Sequence, residues 1–98
     1  MIYTQIPATY KYDVLADAIY SREMEHFHYR LDAVNFTNLL ETIEEGAYKQ
    51  ELQGRLASTL EQMAKVDSIY NALTAQIENP VMYAAAVERA AQKRSTAA

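Results

Sequence analysis

The sequence lacks cysteine and tryptophan and contains only two glycines and two prolines in 98 residues. Without cysteine, neither a disulfide scaffold nor a thiolate metal site can form. Two glycines are too few for a glycine-rich phosphate-binding loop, and too few for the frequent turns of an all-β fold. These absences favour a helical protein.

Long apolar runs are also missing. Half of the residues are apolar, yet no run approaches the ~20 residues that a membrane-spanning helix needs. The first residues lack the basic start and apolar segment of a signal peptide. We therefore expect a cytoplasmic protein with no membrane partner. A chain of this length has a thin core, which makes self-association one of the alternatives.

Charge is unevenly distributed along the chain. Residues 1–46 contain eight acids and three bases, whereas residues 47–98 contain five acids and six bases. An acidic surface repels phosphate, so we expect no direct binding to nucleic acid. The one basic cluster, Arg89, Lys93 and Arg94, is interpreted as a solvated helix end, where cations favour the helix dipole.

Large residues recur in alternating steps of three and four in two long segments, which is typical of helices that pack along a seam, as in a coiled coil. In the first segment, this inner stripe consists of Tyr12, Leu15, Ile19, Arg22, His26, Tyr29, Ala33, Phe36, Leu40 and Ile43. In the second segment, it consists of Leu52, Leu56, Thr59, Met63, Val66, Tyr70, Leu73 and Ile77.

The residues that begin and end helices, together with the helical spacing, predict an all-α, single-domain fold over residues 1–98. Gly46 is predicted to be a left-handed helix stop between antiparallel helices of about 10–45 and 47–78. The alternative is that Gly46 lies inside one very long helix. Thr9 is expected to cap the first helix after an N-terminal arm (1–9). Asn79 and Pro80 are expected to begin a short third helix (about 80–94), followed by a frayed tail (95–98).

A second row of large residues follows the same spacing on the first helix, and we call it the outer stripe: Tyr20, Met24, Phe27, Leu31 and Val34. One antiparallel neighbour covers only one seam, so the outer stripe needs another partner. The third helix is one candidate, although it is short. A second copy of the chain would complete a four-helix bundle, and a different protein is the third alternative.

The predicted turn is acidic and carries one aromatic ring. Glu44, Glu45 and Tyr48 lie together at this elbow. Tyrosine suits half-buried contacts with a partner. The elbow is therefore a candidate contact point for a basic partner, with an ordinary solvated turn as the alternative.

Glu23 and His26 are three residues apart on one helical face, a step that di-metal carboxylate bundles use to place ligands inward. Asp67 lies opposite them on the second helix. A dimer of hairpins could thus form a metal site of Glu23, His26 and Asp67, resembling ferritin-like proteins over a single helical turn. The neighbouring Arg22 disfavours a dication. The preferred interpretation is a polar layer within the seam, without a metal or other cofactor.

No group of residues suggests catalysis, because no serine is accompanied by a positioned base or an oxyanion donor. We predict a non-enzymatic accessory or inhibitor-type protein that binds another protein. In size and charge the chain is similar to small phage- or mobile-element-encoded inhibitors such as anti-CRISPR proteins. That similarity implies a partner with a basic nucleic-acid-binding groove. The alternatives are the ferritin-like bundle and a purely structural helical oligomer.

Overall fold

A computed structural model describes residues 7–97 of the chain. Three helices and no strands occur in this range: α1 (Tyr10–Thr42), α2 (Ala47–Thr74) and α3 (Pro80–Ala97). The all-α prediction is confirmed. Most of the predicted N-terminal arm (residues 1–6) and the last residue of the predicted tail lie outside the described residues.

The starts of α1 and α3 lie where the sequence predicts them. The Thr9 carbonyl accepts hydrogen bonds from the N–H groups of Tyr12 (3.0 Å) and Asp13 (3.2 Å), which places Thr9 at the N-cap position of α1. At α3, the Asn79 Oδ1 accepts a hydrogen bond from the Met82 N–H at 3.1 Å. This bond satisfies one of the backbone donors that a helix start leaves without an intrahelical acceptor.

Gly46 differs from its predicted role. α1 ends at Thr42, before Glu44 and Glu45, and Gly46 lies directly before α2. The Gly46 carbonyl accepts a hydrogen bond from the Gln50 N–H at 3.2 Å, so the glycine begins α2 and does not stop α1. Its φ of +154° is a backbone conformation that glycine adopts without strain. Two glutamates would be unfavourable at the negative end of the α1 dipole, which explains the earlier end of α1.

The other two predicted helix ends also shift. α2 ends at Thr74 instead of about residue 78. Beyond it, the backbone tightens into bonds between residues three apart, with Gln76 N–H donating to Leu73 and Ile77 N–H donating to Thr74. Such a tightened turn is a common way to finish a helix. α3 extends to Ala97, so residues 95–97 belong to the helix and not to a frayed tail.

The chain divides into two compact units, and the boundaries lie inside α1 and α2. One, the α3 unit, contains the residues up to Ser21 and those from Asn71 onward. The other, the hairpin unit, contains Arg22–Tyr70. In the α3 unit, the buried residues are Tyr12, Leu15, Ala16, Ile19 and Ala86.

In the hairpin unit, α1 and α2 pack antiparallel along the inner stripe. Residues 22–30 of α1 share a cavity with residues 66–70 of α2. Residues 33–38 share a groove with Leu56 and Leu60, earlier in α2. Leu52 and Val66 are buried, and the other hairpin-unit members of the inner stripe are half-buried. The alternation of three- and four-residue steps therefore identifies the seam correctly.

Candidate functional site

Three members of the outer stripe are exposed in the hairpin unit. Phe27 is 41% exposed, Leu31 46% and Val34 56%. They follow one another at steps of four and three residues, on successive turns of α1, so they form one continuous apolar strip. Large apolar side chains grouped in this way commonly mark a contact surface.

The outer stripe is not uniform along its length. Tyr20 and Met24 are half-buried. In the α3 unit, the Arg94 guanidinium carbon lies 3.6 Å from the Tyr20 ring centroid, which is a close cation–π contact. Tyr20 is thus in contact with α3, which is one of the three partners considered for the outer stripe. The more exposed part of the stripe begins at Phe27.

The apolar surface continues from α1 onto α2. An open groove of about 350 Å³ lies between Val34 and Asn38 on α1 and Leu56 and Leu60 on α2. Leu60 is 51% exposed. Because Val34 and Leu60 line the same groove, they belong to the same side of the hairpin unit. We call Phe27, Leu31, Val34 and Leu60 the hairpin patch.

The elbow is exposed, but its charge is partly compensated. Glu44 is exposed and Tyr48 is 56% exposed. The Glu45 Oε1, however, lies 2.7 Å from the Lys49 Nζ, one helical turn further along. The four-residue step between Glu45 and Lys49 is typical of an ion pair on a helix, so this compensation is already visible in the sequence. Glu44 is therefore the elbow acid without an ion-pair partner among the described residues.

A polar cavity of about 370 Å³ opens between the two helices of the hairpin unit. Its α1 wall is formed by Arg22, Glu23, His26 and Arg30, and its α2 wall by Val66, Asp67 and Tyr70. The His26 Nε2 lies 3.2 Å from the Asp67 Oδ1, across the two helices. The Arg22 Nη2 lies 3.3 Å from the Glu25 Oε1 on the same helix. These contacts engage Arg22, His26 and Asp67, whereas Glu23 and Arg30 have no such contact among the described residues.

The three metal ligands of the alternative prediction, Glu23, His26 and Asp67, do line this one cavity. Yet within residues 7–97 of a single chain, no three histidine, aspartate or glutamate side chains are arranged to hold a metal ion. Arg22 and Arg30 line the same space, and their positive charges oppose a dication. The residues of one chain therefore do not fit a metal centre.

Among the described helices, none is long and apolar enough to cross a membrane. Comparisons with protein-family models, curated proteins and solved structures gave no match to this chain.

Proposed function

We propose that this is a non-enzymatic protein that acts by binding another protein through the hairpin patch. The observation that supports this is the exposure of Phe27, Leu31 and Val34 on successive turns of α1. Complete burial of a side chain of this size contributes roughly 1.5–3 kcal/mol. These three are about half exposed, so a partner that covers them would gain on the order of 1 kcal/mol from each.

The partner that fits this surface has an apolar depression beside a basic region. The chain has a net charge of −4, and the whole of the acidic excess lies in residues 1–46. Long-range electrostatic attraction between this negative charge and a basic protein increases the rate at which the two meet. We therefore propose an accessory or inhibitor-type role toward a nucleic-acid-binding complex, in which the acidic surface occupies a basic groove. Glu44 and Tyr48 at the elbow are proposed to widen the contact.

The test compares capture of cellular proteins by the wild-type chain and by Phe27→Asp. A charge placed in a buried apolar contact is costly, so we expect Phe27→Asp to reduce recovery of the specific partner at least about tenfold. Ser68→Asp is the matched control, since Ser68 is also exposed and lies outside the hairpin patch. Quantitative mass spectrometry of the bound proteins gives the comparison, and thermal unfolding verifies that both variants fold.

The proposal is wrong if every protein retained by the wild type is retained equally by folded Phe27→Asp. Light scattering distinguishes the structural alternative. If the wild type is a dimer and Phe27→Asp a monomer, the hairpin patch is an interface between copies of this chain, and the function is that of a helical oligomer.

A further inference from the structure

We propose that the polar cavity of the hairpin unit binds a compact oxyanion, namely the carboxylate or phosphate group of a small molecule. This site borders the hairpin patch at Arg30, which contacts Phe27, but it does not depend on the proposed protein-binding function. The cationic groups that line it are two arginines on α1, and Tyr70 lies on the opposite wall.

The basic residues in the first half of the chain are concentrated at this cavity. Residues 1–46 contain only three basic residues, Lys11, Arg22 and Arg30. Two of these three line the same cavity, in an otherwise acidic part of the chain. Arg22, His26 and Arg30 follow steps of four residues on one face of α1, which places the two arginines about 12 Å apart along the helix. Both long side chains nevertheless border one space, so they can approach a ligand from two sides.

The guanidinium groups of Arg22 and Arg30 also have hydrogen-bond donors without partners among the described residues. The Nε of Arg22 is buried and has no hydrogen-bond partner. Because this atom is buried, it reaches an anion in the cavity only if the Arg22 side chain shifts, and such a shift would relieve the cost of a buried donor without an acceptor. In the part of the chain that the structure describes, Arg30 forms no ion pair, and its guanidinium lies 5.7 Å from the Phe27 ring centroid. Guanidinium groups bind carboxylate and phosphate oxygens through paired hydrogen bonds.

The acidic residues around the cavity limit its affinity for an anion. Asp67 lies against His26, and Glu25 lies against Arg22, so each of these carboxylates has a partner. Glu23 lines the cavity without an ion-pair partner among the described residues. Its negative charge opposes an anion. Neutralising Glu23 should therefore strengthen anion binding, whereas it would weaken the binding of a cation.

The experiment is an NMR titration of the amide and arginine Nε signals with inorganic phosphate, and separately with succinate, at constant ionic strength. We expect saturating shifts in residues 22–30 and 66–70. Arg30→Gln should weaken binding about tenfold through loss of a charge-assisted hydrogen-bonding group. Glu23→Gln should tighten it. Arg55→Gln is the matched control, because Arg55 is an exposed arginine on α2 that lies outside the cavity.

Arg22→Lys tests the buried donor directly, because lysine retains the charge but has no Nε–H in that position. We expect weaker binding with an unchanged fold, as judged from amide dispersion. Saturation by either phosphate or succinate supports the site and identifies which oxyanion it prefers. The proposal is overturned if neither anion saturates, if shifts spread over all basic residues, or if Arg55→Gln weakens binding as much as Arg30→Gln does.

Discussion

Two arginines of α3 attach this helix to α1 through different interactions. Arg89 donates from Nε (3.0 Å) and from Nη2 (2.7 Å) to the Asp13 Oδ1. Arg94 stacks on the Tyr20 ring instead. The prediction of a solvated basic helix end was therefore incomplete. Arginine can serve both purposes because its planar group combines several directed donors with a flat face.

At the residue scale, we expect a modest coupling between Asp13 and Arg89. Their side chains are 37% and 43% exposed, so water screens much of the attraction. A double-mutant cycle with Asp13→Asn and Arg89→Gln should give a coupling of about 0.5–1 kcal/mol in urea unfolding. High salt should reduce that value. A coupling of zero would mean that the hydrogen bonds do not stabilise the α3 unit.

The two glycines of the chain differ in backbone conformation. Gly46 has a φ of +154° at the start of α2, whereas Gly54 lies inside α2 and shows no positive φ. A Cβ added at either position would meet nothing within 4 Å. The difference between the two positions is therefore conformational and not steric.

At the element scale, we expect opposite effects from two chemically identical substitutions. Gly46→Ala should destabilise the protein by about 1–2 kcal/mol, because alanine is strained at that φ. Gly54→Ala should stabilise it by about 0.5–1 kcal/mol, because alanine is the better helix former. Chemical denaturation of both variants measures the difference. Equal effects in the same direction would contradict this account of the elbow.

For the molecule as a whole, the completely buried apolar core is small. Among the described residues, seven apolar side chains are buried, and only two of them, Leu52 and Val66, belong to the hairpin unit. Truncating either of these two side chains should therefore be costly for that unit.

We expect Leu52→Ala to lower the free energy of unfolding by about 2–4 kcal/mol, since Leu52 is 2% exposed. Leu60→Ala removes the same atoms from a side chain that is 51% exposed, and should cost less than about 1 kcal/mol. Urea unfolding of both variants gives the comparison. Similar losses would indicate that the hairpin patch is part of the core.

The sequence predicts the seam and the caps well because both depend on local signals. The inner stripe recurs at helical spacing, and Asn79 with Pro80 is a strong start signal. The contact of Arg94 with Tyr20 could not be predicted, because it joins residues far apart in the chain whose encounter depends on packing. Of the residues that line the polar cavity, the sequence grouped only Glu23, His26 and Asp67, as the alternative metal site. Arg30 was missed because it lies beside the inner stripe and not on it.

The connection between α1 and α2 also has a practical consequence. Residues 43–46 form neither helix, and Glu44 is exposed with no ion pair among the described contacts. Since the sequence contains no cysteine, Glu44→Cys would give the molecule a single thiol. A fluorophore or spin label attached there would interrupt no helical hydrogen bond. Its signal would report directly on whether the elbow approaches a bound partner.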